Sequence, residues 1–477
     1  MSKLPHDISL GSSLTEEQAR TIFALGEDTV VFALLAQAKM LAEQRAAEAA
    51  VSHQTPSTPS GMKPVFQKPT APTRGKKKPG QKPGHPGCRR EIPVRIDRHI
   101  EHRAKVCPEC GGPLHRCQET RTRYTEDIPE NIQPVITKHI IHRDWCPRCK
   151  KKVEPAVSDA LPGANLGNRM PALSAWMHYA LGTTLSQLVE VFNFHLQMKV
   201  TPGGLAQMWQ RLAQILNAWY EEIQQQAQDS AVLNADETGW RVNGKTHWLW
   251  CFATNELSYF MINRSRGSPA LMEFFLQEFC GTLVSDFWAP YNAVFCASRQ
   301  KCLVHLLRDL EHVERYKSPG THWPAFAKKL RRLIKDAIRL LRQRTELAPE
   351  TYGSRRNCLA QRLEDMIATP WEDAQARRLI KRLRRHKDEL FTFLDQPGVP
   401  FENNLAERSI RPAVILRKNS YGNRSERGAV TQAVFMSVFF TLKKRGHNPV
   451  KAVQDALAMY LQTGKMPAVP KKVTSEG

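Results

Sequence analysis

Residues 231–263 read AVLNADETGWRVNGKTHWLWCFATNELSYFMIN, three apolar or alternating runs parted by turn signals. The first run, AVLNADETGW, leads into the acids Asp236 and Glu237. The second holds Asn243-Gly244, the dipeptide that best accepts positive φ at both central positions of a two-residue turn, so WRVNGKTHWLWCFAT predicts a β-hairpin. LSYFMINR supplies a third strand. Further on, Ser268 to Phe279 has helical character, GTLVSDFWAPY is a strand ending at Asp286, and QKCLVHLLRDLEHV is a strand running into a helix. Three antiparallel strands, a helix and further strands make one sheet, with the first strand central and the fourth beside it.

That order is the order of a ribonuclease H-like fold, and it governs what the acids can do. Asp236 and Asp286 would meet at neighbouring strand ends. Two close carboxylates repel unless cations neutralise them, and Mg²⁺ (or Mn²⁺) takes oxygen ligands, so a two-metal phosphoryl-transfer site is the expected result. A third acid should come from a helix that packs late onto the sheet. The segment FENNLAERSIRPAVILRKNSYG offers one: a helix beginning near Asn403 or Asn404 carries Glu407 in its first turns, with Arg408, Arg411, Arg417 and Lys418 nearby to meet a DNA phosphate. Glu402 and Asp309 are rival third acids. Each acid alone is more often a solvated or capping residue; only the ordered set carries weight.

The 477 residues are too many for one ordinary domain, and the class expected is multidomain α+β. With 69 Lys plus Arg against 46 Asp plus Glu, the net charge of +23 favours a polyanionic partner, double-stranded DNA before others. No run of about 18 apolar residues and no secretory leader pattern occur, which predicts a cytoplasmic protein without a membrane partner. Residues 1–52 read as a helical segment, either a short coiled coil or a solvated arm. Residues 53–100 form a basic Pro/Gly-rich linker; 61–105 hold 13 Lys or Arg against 3 Asp or Glu, and Lys76, Lys77 and Lys78 are its candidate DNA contacts, with a plain hinge as the alternative. Within 101–156, Cys107-x-x-Cys110 and Cys146-x-x-Cys149 match a closed tetrahedral Zn²⁺ site with a structural role, and the alternation in TRYTEDIPENIQPVITKHIIHRDW suggests the strands of a zinc ribbon. Residues 157–229 look helical, with Thr201 as an N-cap between two helices, in the outline of a helix-turn-helix or of ordinary helix packing. The catalytic core is placed at 230–425, with an all-helical basic insertion at about 318–395, and a helical region closes the chain at 426–477.

Several motifs together resemble the Insertion Sequence 66 family of bacterial transposases over nearly the whole chain: KKPGQKPGHPG, the double Cys-x-x-Cys, ADETGWRV, SDFWAPYN, Cys302-x-x-His305 and NNLAERSIRPAVILRKNSYG. The resemblance implies that Asp236, Asp286 and Glu407 form a DDE triad, and that the chain has a leucine-zipper-like N-terminal helix, a zinc finger and a nuclease domain. It also implies small accessory proteins from the same element, and a nucleoid-associated life in a bacterial cell. Two departures stand out: Leu303-Val304 lies where the family commonly has an aromatic residue, and SDFWAPYN replaces a Gly-Tyr type sequence. The activity so implied is binding of an element's terminal inverted repeats, metal-dependent cleavage and strand transfer. It requires a homo-oligomer on DNA, because two ends must be brought together. Cys302 and His305 do not complete a metal site by themselves, which favours a structural or DNA-positioning role for that pair.

Overall fold

The computed structural model describes residues 16–24, scattered positions among 26–34, and residues 92–115, 119–129, 132–317 and 319–473. Lys76, Lys77, Lys78 and most of the N-terminal helical segment expected at 1–52 lie outside them. Two compact units emerge, one from 138–191 and 200–477 together with the N-terminal stretch, the other from 69–137 and 192–199.

The smaller unit has no strand or helix among the described residues of 92–137. In the larger unit, β1 (Asp144–Cys146) and β2 (Lys151–Val153) form a two-stranded antiparallel sheet. Of the stretch TRYTEDIPENIQPVITKHIIHRDW, where strands are expected, the last two residues, Asp144 and Trp145, lie in β1, and the described residues 122–129 and 132–143 hold no strand. Alternation marks a strand only when a neighbour buries one face, and here Ile128, Val135, Ile136 and Ile140 are all exposed.

Five strands make the main sheet: β3 (Val232–Val242), β4 (Lys245–Ala253), β5 (Ser258–Asn263), β6 (Phe279–Ser285) and β7 (Cys296–Lys301), in the order β5-β4-β3-β6-β7. The first three are antiparallel neighbours, while β6 lies parallel to β3 and β7 parallel to β6. Asn243 and Gly244 take φ of 48° and 72° at the hairpin tip, as a two-residue turn demands.

Helices cover both faces and both edges. They run α1 (Glu16–Ala24), α2 (Arg169–Ala175), α3 (Leu185–Glu190), α4 (Pro202–Gln228), α5 (Ser268–Phe274), α6 (Leu303–Tyr316), α7 (Trp323–Arg342), α8 (Pro349–Ala368), α9 (Ala374–Arg385), α10 (Thr392–Asp395), α11 (Asn404–Ser420), α12 (Glu426–Lys444) and α13 (Pro449–Thr463). The edge strand β5 would present unpaired N–H groups, but Ser437 and Thr441 of α12 accept from Phe260 and Ser258 at 2.9 and 3.1 Å. At the other edge, Gln300 of β7 bonds the Leu390 carbonyl and the Phe393 amide, both at 3.0 Å. There α6 to α10 share one apolar core with the sheet, built on Leu306, Leu310, Phe326, Leu330, Leu379 and Phe393.

Thr201 caps α4, accepting from the Gly204 amide at 3.1 Å. The helix then runs 27 residues with Leu205, Trp209, Leu212, Leu216, Trp219 and Ile223 buried, and it packs along α12. That face is committed to the core, while Gln207, Arg211 and Gln214 of the same helix are exposed. Among the described residues, no helix is long and apolar enough to cross a membrane.

Candidate active site

Pleating sends successive residues of β3 to opposite faces of the sheet. Asp236 lies opposite Cys251 and Glu237 opposite Trp250. The Asp236 face is covered by α11 and α12; the Glu237 face carries Trp248, Trp250 and Phe252, with Phe252 stacked on Phe274 of α5.

On the first face the acids gather. The parallel register pairs Asn234 with Val284, and two residues further along it sets Asp236 beside Asp286, just past the end of β6. Glu407 sits in the first turn of α11. The start of that helix is fixed by Asn403, 1% exposed, whose side chain donates to the Ala235 carbonyl at 2.7 Å and accepts from Asn234 at 3.0 Å. Its far end is fixed too. Tyr421 (φ 62°) and Gly422 (φ 121°) turn the chain so closely against Arg241 that a Cβ on Gly422 would overlap its carbonyl oxygen. Asn423 then accepts from the Trp240 indole at 2.6 Å.

Asp236 receives one short bond, from the Glu237 amide at 3.0 Å, and no cation pairs with it among the described residues. By exposed surface it is half-buried, yet desolvation raises its pKa well above the ordinary carboxylate value, and the negative charges of Glu237, Asp286 and Glu407 raise it further. Asp286 is 6% exposed and accepts from the Trp288 amide at 2.8 Å. Glu407 is held by both guanidinium nitrogens of Arg308, at 3.1 and 3.2 Å. An acid whose charged form several neighbouring carboxylates disfavour is a place for divalent cations, and all-oxygen donors suit Mg²⁺.

The rival acids are otherwise engaged. Asp309 is buried against Arg382 of α9. Glu402 and Arg408 line a cleft of about 570 Å³ with Asn234, Asn255 and Arg445, and neither Asp236 nor Asp286 takes part in it. Arg417 is spent on the sheet, donating to the Thr238 hydroxyl at 3.0 Å and to the Gly239 carbonyl. Arg411 and Lys418 are exposed and lie four and eleven residues beyond Glu407, on its stripe of α11.

Two features were not read from the sequence. Glu237, fully buried on the opposite face, accepts from Arg266 at 2.9 and 3.1 Å and from the Tyr291 hydroxyl at 2.6 Å. The Arg266 guanidinium lies between the Trp248 and Trp288 rings, 4.5 and 3.9 Å from their centroids. Burial raises Glu237 to about 7, Asp286 adds to the rise, and Arg266 opposes it. The cluster of tryptophans around an arginine was the available signal. The second feature is the meeting of Cys302, His305 and Glu407, which alone among the described residues bring three ligand atoms within 4.8 Å of one another.

The two cysteine pairs are each shaped as a knuckle. Cys107 is held below the usual thiol range by the backbone amides of Cys110 and Glu109, and Cys146 by the amide of Cys149, which approaches its sulfur at 3.4 Å. Amides aimed at sulfur favour the thiolate form that binds metal.

A family model described as "Transposase IS66 family" matches residues 163–431, more than half of the chain, and one described as "zinc-finger binding domain of transposase IS66" matches residues 104–150. The chain belongs to the IS66 transposase family. "Uncharacterized protein y4jD" of Sinorhizobium fredii (strain NBRC 101917 / NGR234) is 23% identical over 398 residues, 76% of each chain. "Uncharacterized protein y4qI" of the same strain is 24% identical over 409 residues, 77% of this chain and 73% of that one. "Uncharacterized protein y4jO", again of that strain, is 36% identical over 80 residues, 17% of this chain and 24% of that protein. Membership makes DNA the partner, supplies a zinc-finger segment, and calls for divalent metal in the IS66 domain.

Proposed function

We propose that this chain binds the terminal inverted repeats of an insertion sequence and cuts and joins DNA strands through Asp236, Asp286 and Glu407. The observation that carries the reading is the half-buried Asp236, which shares one face of the sheet with Asp286 and Glu407 and has no ion-pair partner among the described residues. The strand order β5-β4-β3-β6-β7, with three antiparallel strands and then two parallel ones, supports a ribonuclease H-like core. The three carboxylates do not close to within 4.8 Å of one another. Such an open set suits two ions about 4 Å apart better than one.

When bound, Mg²⁺ (or Mn²⁺) supplies activation of the attacking oxygen and stabilisation of the leaving one. The chain's own residues do the rest. Asn403 fixes the helix that presents Glu407, the Trp288 amide orients Asp286, and Arg411 and Lys418 offer charge to a phosphate on the same stripe. Cys107, Cys110, Cys146 and Cys149 would hold a structural Zn²⁺ in the zinc-finger segment, and Lys76, Lys77 and Lys78 grip the DNA backbone. The enzyme works in the bacterial cytoplasm on nucleoid DNA, as a homo-oligomer spanning two ends and aided by small proteins of the same element.

The test uses the full chain, Mg²⁺ and a labelled duplex bearing the element's own ends. Asp236→Asn, Asp286→Asn and Glu407→Gln should each abolish cleavage and strand transfer while end binding survives. Cleavage that persists in any of the three removes that residue from the triad. A wild type that binds ends but never cuts, with accessory proteins supplied, would instead be a DNA-binding regulator.

A further inference from the structure

Cys302 is the N-cap residue of α6 and is fully buried; His305 follows one turn later, and Glu407 reaches the same point from α11. The two helix starts are tied together here, since the Asn403 amide donates to the Cys302 sulfur at 3.2 Å and the Leu303 amide to the Phe401 carbonyl at 2.9 Å. The His305 Nδ1 atom is buried with no hydrogen-bond partner among the described residues. Native proteins rarely leave such an atom idle. Arg308 occupies Glu407 as a stand-in cation, from a side chain that is 46% exposed and so free to swing away.

The donor set is one sulfur, one imidazole nitrogen and one carboxylate oxygen. That is the wrong set for Mg²⁺ and a suitable one for a borderline-soft ion, with a fourth position left for water. We propose that Cys302, His305 and Glu407 form a binding site for a Zn²⁺-class ion, apart from the finger, and that filling it engages Glu407 and suppresses Mg²⁺-dependent cleavage. The site stands on its own geometry; the suppression rests on the reading of Glu407 as a catalytic ligand.

The experiment titrates the full-length protein, purified with its finger zinc, with Co²⁺. It follows the thiolate-to-cobalt charge-transfer band and counts bound metal per chain by mass spectrometry. Wild type should take up one ion more than Cys302→Ser or His305→Ala, and Cys280→Ala, which alters an exposed thiol elsewhere, should match wild type. Arg308→Ala, which removes the cation competing for Glu407 and leaves all three proposed ligands in place, should bind roughly tenfold tighter. Equal uptake by wild type, Cys302→Ser and His305→Ala overturns the site, as does unchanged or weaker binding in Arg308→Ala. If the extra ion binds but added Zn²⁺ leaves wild-type cleavage unaltered, the suppression is overturned. Absence of cleavage under any metal condition counts against the catalytic reading alone, because the metal count remains readable.

Discussion

Asp236 and Glu237 are neighbours in the chain with the same charge, yet the fold treats them oppositely. Glu237 is enclosed by an arginine between two indoles and by a tyrosine hydroxyl, so its oxygens find partners in the protein even though burial still raises it to about 7. Asp236, one residue earlier and on the other face, accepts from a single amide and has no ion-pair partner within contact distance among the described residues, while Glu237, Asp286 and Glu407 press like charge on it. Carboxylates that a protein satisfies are structural, and carboxylates it leaves short are sites that wait for something else.

The contrast breaks most sharply under Asp236→Asn. Cleavage should fall on the order of 10³-fold, while unfolding without divalent ions should show no loss of stability beyond about 0.5 kcal/mol. A destabilised Asp236→Asn protein would mean that the acid is satisfied after all. The mirror experiment is Arg266→Ala, which strands Glu237 as a buried charge and should cost roughly 3–5 kcal/mol in urea unfolding. A loss under 1 kcal/mol would show that solvent reaches Glu237 and that the two acids do not differ.

The pH dependence of stability sharpens the same point. Glu237 moves from the ordinary 4.5 to about 7 in the folded state, so the folded protein holds this proton more tightly than the unfolded chain. Its stabilising contribution is then complete below pH 4.5 and is lost as pH rises through about 7. At ~1.4 kcal/mol per pH unit this is roughly 3 kcal/mol, and Glu237→Gln should remove that slope from metal-free unfolding curves. An unchanged slope would assign it to other groups. The smallest effect belongs to Tyr291→Phe, which takes one donor from Glu237 and should cost about 1–2 kcal/mol with cleavage retained.

Much of this was legible in the residues. The β3 to β7 runs, the Asn243-Gly244 hairpin and the helix that opens just before Glu407 all depend on local patterns that the fold keeps. What was hidden depends on partners distant in sequence. Nothing in the neighbourhood of Arg417 says that it will bind the Gly239 carbonyl, nor that Arg308 will hold Glu407 from a helix about a hundred residues earlier. The strand-like alternation of TRYTEDIPENIQPVITKHIIHRDW yields a strand only at its end, Asp144-Trp145, for the same reason, since pairing is a property of two segments. At Asp236-Glu237 the sequence shows two equal acids, and only the placement of Arg266 and Tyr291 tells them apart.

The helix carrying Glu407 is anchored like a beam with both ends built into a wall. Asn403 bolts one end to the Ala235 carbonyl, and the Tyr421-Gly422-Asn423 turn bolts the other to Arg241 and Trp240. A one-turn slide of about 5.4 Å along the sheet would break both anchors at once. The position of this acid along the sheet is therefore not an adjustable quantity in this molecule. Whatever arms or silences the centre must work through side-chain rotation, bound cations or the arrival of DNA, and substitutions at Asn403 or Gly422 should blur the acid's position rather than shift it to a second one.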